Sequence, residues 1–157
     1  MHREPVSPPS TFTTCYGCGK DNHLGLKLQF YREGESVVAD FVPEKEHGGY
    51  GRVLHGGVTA TLLDEAFGWA LYTLKGRLGL TTELNVTYAN KLECGRQLTL
   101  RATVETDDVR FGTLRAEILD HQGKVAAIGV GRMRYISRRL AERMGGFSTD
   151  MEGEGEG

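Results

Sequence analysis

YGRVLHGGVTATLLDEAFGWALYTLK, residues 50 to 75, decides the fold. Val58, Leu62, Leu63, Ala66, Phe67, Ala70, Leu71 and Leu74 recur at steps of three and four, the period of an α-helix with one buried face. The spacing predicts one long helix opening on His55-Gly56-Gly57. Glycine there lets the backbone approach another group closely, and the first helical turn has amide N–H groups with no intrahelical partner. An anion or a polarised carbonyl oxygen can take those donors, favoured by the positive end of the helix dipole. Asp64 and Glu65 then stand in mid-helix among apolar residues, where a carboxylate needs a reason to be. Lys75-Gly76 reads as the helix end.

Working outward, the chain after the helix is rich in β-branched residues, with strands expected over 81–88, 97–106, 112–119 and 125–135. Asn90-Lys91, Asp107-Asp108 and His121-Gln122-Gly123 supply the turns. Before the helix, LKLQFY (26–31) and SVVADFV (36–42) read as a hairpin, followed by the glycine-rich loop PEKEHGGYGRVL (43–54), which suits the border of a binding site. A hairpin, a long helix and a four-strand meander make an α+β domain. One long central helix is wrapped by a curved antiparallel sheet of five to six strands, the only cover this chain offers for Phe67, Trp69 and Leu71. The domain is expected over residues 15–140. Residues 1–14, with Pro5, Pro8 and Pro9, read as a flexible lead, and residues 141–157, ending in STDMEGEGEG, as a flexible acidic glycine-rich tail.

Nineteen basic and 21 acidic residues give a net charge of −2. Without a broad basic field, neither nucleic acid nor an anionic membrane is an expected partner. No apolar run reaches the roughly 20 residues that span a bilayer, and MHREPVSPPS lacks the apolar core of a signal peptide, so a soluble cytoplasmic protein is expected. Cys15, Cys18 and Cys94 are an odd number and are read as reduced thiols.

The order of elements, the HGG at the helix start and an acid nine residues after that histidine (His55 to Asp64) resemble the hotdog-fold acyl-CoA thioesterases of the phenylacetate-pathway (PaaI) type, over residues 15 to 136. Cys15-x-x-Cys18-Gly19 with Asn22 and Gly25-Leu26 is similar to a leader segment found in a subset of that family, with His23 where proline is usual. The resemblance implies hydrolysis of an acyl-CoA to free acid and coenzyme A, with no cofactor beyond the coenzyme A of the substrate. It also implies a homodimer, or a dimer of dimers. By residue, it implies that the Gly56 N–H polarises the thioester carbonyl and that Asp64 is nucleophile or general base. A hydroxyl at the start of the next strand, Thr81 or Thr82, would help place the water. An asparagine that some members have six residues before the histidine is Gly49 here.

The chemistry suits those groups. Negative charge grows on the carbonyl oxygen in the transition state, and a preorganised amide aimed at it is typically worth about 3 kcal/mol. A carboxylate serves as either base or nucleophile. Gly56 and Asp64 lie eight residues apart, about 12 Å along a helix axis, so one chain cannot bring both to one thioester. Two helices antiparallel across a two-fold axis can.

Plainer roles compete for each residue. Asp64 could pair with a basic residue at an interface, and Glu65, some 100° around the helix, is the other candidate acid and a possible substrate contact together with Gly57 and Thr82. His55 either orients its loop or touches substrate, and no serine or cysteine is spaced to make it part of a triad. Arg132 and Arg134, with Arg138, Arg139 and Arg143, either grip the coenzyme A phosphates or form a solvated face. Zinc at Cys15 and Cys18 would need further ligands, with only His23 and Cys94 on offer, so a structural turn is expected and no metal is assigned. Two other functions fit the fold: a non-catalytic acyl-CoA binding protein and, less well, an enoyl-thioester hydratase, for which no Asp-x-x-x-x-His pair enters the helix.

Overall fold

A computed structural model describes residues 1–8 and 12–145. Its centre is α1 (Gly56–Lys75), capped at its start by His55 and stopped by Gly76, whose left-handed φ of 62° most side chains resist. Leu62, Leu63, Ala66, Phe67, Ala70 and Leu71 are each fully buried along one face. A large apolar side chain buried in this way contributes about 1.5–3 kcal/mol, so packing rather than intrinsic propensity holds this helix. No helix of the described residues is long and apolar enough to cross a membrane.

The cover is one antiparallel sheet in the order β1-β2-β3-β5-β6-β7-β4. Its strands are β1 (Glu4–Pro5), β2 (Tyr31–Glu33), β3 (Ser36–Phe41), β4 (Gly79–Tyr88), β5 (Leu98–Asp107), β6 (Phe111–Leu119) and β7 (Val125–Tyr135). Val37 and Ala39 of β3, Leu98, Leu100 and Ala102 of β5, and Leu114, Ala116 and Ile118 of β6 alternate inward and complete the core around α1. On β7, Gly131 makes room for Phe67: a Cβ there would lie 2.5 Å from the Phe67 ring and 2.4 Å from the Glu83 carbonyl oxygen.

The sheet has seven strands rather than the five to six expected. The extra one is β1, inside the segment read as a flexible lead: Glu4 and Pro5 pair with Arg32 and Tyr31, and Arg3 bonds Glu33 (3.1 Å) and Asp40 (2.7 Å). Proline is tolerated because β1 is an edge strand. The first hairpin is shorter than expected. Leu26, Leu28 and Phe30 still alternate inward, but the amides of Leu26 and Leu28 donate to Tyr16 and Gly17, tying this stretch to the leader instead of the sheet. After β7, α2 (Arg138–Arg143) buries Ala141, within the segment read as a tail, while residues 146–157 lie outside the described residues.

Candidate active site

The start of α1 is built from residues on three segments. His55 Nδ1 accepts the Gly57 N–H at 2.9 Å, so the ring itself caps the helix, and in its neutral form carries its proton on Nε2. Gly57, expected as a substrate contact, therefore gives its amide to His55. The Gly56 amide has no acceptor among the described residues, which leaves it as an available donor at the first position of this turn. The Tyr88 hydroxyl donates to the Gly56 carbonyl at 2.7 Å. The His55 amide donates to the His47 carbonyl at 2.9 Å, and Gly48 and Val53 bridge to Leu54 and Glu93, so the glycine-rich loop is held in place. A cavity of about 430 Å³ opens here, lined among others by His55, Gly56, Thr59, Tyr88 and Asn90. Sequence reading missed Tyr88. Its signal was its place in the helix-facing alternation Leu84, Val86, Tyr88 at the end of the strand that returns along the helix.

Asp64 occupies a second place. Its Oδ1 accepts the Thr81 hydroxyl at 2.6 Å, joining mid-helix to the start of β4. The β4–β7 register shifts between Thr81 and Glu83, and Thr82 turns away to donate to the Arg132 carbonyl at 3.1 Å. Asp64 and Thr81 thus come together, as do His55, Gly56 and Gly57, but the first pair sits at mid-helix and the second group at the helix start, eight residues away. Arg132 and Arg134 alternate with the inward Gly131 and Met133, which sets them on the outer face of β7. The Arg132 guanidinium lies over the Phe111 ring, 3.8 Å from its centroid, and Arg134 forms no ion pair among the described residues.

Glu65 does not join Asp64. It faces the leader, where its Oε1 lies 3.6 Å from Cys15 Sγ and accepts from the Trp69 indole at 3.1 Å. Burial pushes its carboxyl up to about 7. The hydrogen bond from the Cys18 thiol pulls Cys15 down to about 5, helped by the Cys18 and Gly17 amides, and the same pairing drives Cys18 upward. His23 is exposed and Cys94 is buried in the core, so neither candidate completes a ligand set with Cys15 and Cys18.

The family model "Thioesterase superfamily" matches residues 51–127. Human acyl-coenzyme A thioesterase 13 is 35% identical over 69 residues, which is 43% of this chain and 49% of that protein. The chain thus matches about half the length of this relative. A protein of Archaeoglobus fulgidus, provisionally named an esterase, is 30% identical over 114 residues, 73% of either chain. The structure of the E. coli PaaI protein from the phenylacetic acid degradation operon superposes with a TM-score of 0.65 at 23% identity, covering 71% of this chain and 81% of that one. The strand order, the helix they wrap and these matches lead to one conclusion: the chain belongs to the thioesterase superfamily, with the hotdog fold of its PaaI-type members.

Proposed function

We propose that this protein hydrolyses acyl-CoA thioesters at two equivalent sites of a homodimer. In each site Asp64 and Thr81 of one subunit would face Gly56 of the other. The Thr81–Asp64 hydrogen bond at the start of β4 carries the reading. It holds the carboxylate in one orientation beside a strand whose outer edge is open, since among the described residues β4 pairs only with β7. Strand β4 runs antiparallel to α1, with Thr81 at the Asp64 end and Tyr88 at the Gly56 end. Antiparallel pairing of β4 with its twin sets the start of one strand beside the end of the other, and so brings Asp64 of one subunit toward the Gly56 cavity of the next. The ten exposed or half-buried residues of β4 give such a seam unpaired backbone groups along its whole length.

In this arrangement the thioester carbonyl oxygen takes the Gly56 N–H, and charge developing on it is met by that donor and the helix dipole. Asp64 either attacks the carbonyl carbon or removes a proton from the attacking water, with Thr81 fixing its other oxygen toward the reaction. His55 holds the turn through Gly57 and acts by positioning. Arg134, with Arg132 beside it, supplies positive charge for the coenzyme A phosphates on the outer face. Acyl-CoA is the substrate class because the human relative is named for it.

The test is thiol release from a panel of acyl-CoAs. Asp64→Asn should keep the oligomer and lower kcat by about 10²–10⁴-fold, the usual worth of a positioned base. Undiminished turnover in that variant would remove Asp64 from the mechanism. Tight acyl-CoA binding without thiol release by the unaltered protein would select the non-catalytic binding function.

A further inference from the structure

The leader turn 15–19 and the back of α1 meet at a cluster that hydrolysis does not use. Cys15 Sγ, Cys18 Sγ and a Glu65 carboxylate oxygen all lie within 4.8 Å of one another. Cys15 Sγ stands 3.6 Å and 3.9 Å from the two Glu65 oxygens. A tetrahedral zinc ion with Zn–S of about 2.3 Å and Zn–O of about 2.0–2.2 Å needs neighbouring sulfur and oxygen about 3.5 Å apart. The Cys15–Glu65 pair is therefore already at ligand spacing, and the Cys18 sulfur lies within 4.8 Å of both.

Its surroundings are those of a built site. The Gly19 amide donates to the Cys15 carbonyl at 2.8 Å, which closes the turn and sets the two cysteines on one side. The Leu26 and Leu28 amides bond Tyr16 and Gly17, anchoring the turn to the chain behind it. Trp69 Nε1–H on Glu65 Oε1 fixes the carboxylate, the second partner that metal ligands usually have. Gly17 leaves room for Glu65, since a Cβ there would lie 2.3 Å from the Glu65 Cδ. The three ligand residues line a cavity of about 230 Å³ whose other walls include Phe12, Trp69, Tyr72 and Leu78.

We propose that Cys15, Cys18 and Glu65 bind one zinc-class divalent cation, clipping the leader onto the helix turn that carries Asp64. Two thiolates select a borderline-soft ion over calcium or magnesium, which take oxygen ligands. Three protein ligands leave the fourth tetrahedral position to water or a small anion in the cavity. Binding displaces the ligands' protons to solvent, so it strengthens as pH rises.

Full-length protein, reduced, stripped with chelator, loaded with zinc and freed of excess by gel filtration, should hold one zinc per chain by elemental analysis. Cobalt in its place should give a tetrahedral spectrum with thiolate-to-metal charge-transfer absorption. Cys15→Ser, Cys18→Ser and Glu65→Gln should each weaken binding at least about tenfold, while Cys94→Ser, outside the cluster, keeps one zinc. Retention of no stoichiometric metal by the unaltered protein, a cobalt spectrum without sulfur charge transfer, or binding indifferent to all three ligand substitutions overturns the site. So does a Cys15–Cys18 disulfide that persists under millimolar glutathione, which would make the pair a redox couple. The zinc content and cobalt spectrum of the unaltered protein decide the matter even if a variant fails to fold.

Discussion

Asp64 and Glu65 are adjacent in sequence and opposite in surroundings, and that contrast organises the chemistry at the scale of single residues. Both are half-buried, Asp64 bonded to Thr81 and Glu65 set against Cys15 and the Trp69 indole. Thr81→Val removes a hydrogen bond to a carboxylate, of the kind worth about 1.5–3 kcal/mol. Should that bond matter mainly in the transition state, kcat falls roughly 10- to 100-fold with KM little changed, a split that steady-state kinetics reads directly; a change in KM alone would assign Thr81 to binding. The Cys18 thiol and the neighbouring amides lower Cys15 to about 5, which predicts a reactive thiolate at neutral pH. In metal-free protein its alkylation by iodoacetamide should stay fast from pH 9 down to pH 6 and slow as pH falls through about 5, followed by peptide mass spectrometry. Alkylation that requires pH above 8 would contradict the hydrogen-bonded thiolate.

Among the elements, α1 is legible from its repeat because helical period and burial are both local facts: three- and four-residue steps put Leu62, Leu63, Ala66, Phe67, Ala70 and Leu71 on one face, and all are buried. The fit of that face to β7 is not local. Gly131 is needed because Phe67, 64 positions earlier, fills the space over it. Gly131→Ala should destabilise the fold by about 1–3 kcal/mol, as overpacking in cores does. The melting temperature then drops several degrees, measurable by calorimetry at unchanged oligomeric state. Strand β4 shows the same division. Counting back by twos from Tyr88, Val86 and Leu84 puts Thr82 toward the helix, yet the register shift between Thr81 and Glu83 presents Thr81 instead.

For the whole molecule, the open β4 edge is the feature with the largest consequence. Asn85 and Thr87 are exposed on β4, alternating with the helix-facing Leu84, Val86 and Tyr88. Asn85→Lys with Thr87→Lys should therefore leave the protomer folded while setting like charges together across a paired seam. Sedimentation should then show a dimer dissociating at least about tenfold more readily, with turnover per subunit falling in parallel and recovering at high protein concentration. Full turnover by a monomer would defeat the shared site.

A helix with one apolar stripe, glycines at its start, an acid nine residues beyond His55 and a downstream meander were all written in short-range patterns; these gave a helix wrapped by an antiparallel sheet, and the family they resemble gave the hotdog architecture. Which way Glu65 points, that Thr81 rather than Thr82 meets Asp64, that Glu4–Pro5 joins the sheet and that Tyr88 returns to Gly56 came only from the packing of distant segments. Periodicity says which face of an element is buried, but a bulge, an edge pairing or a docked leader depends on what that face meets, and the partner lies tens of residues away.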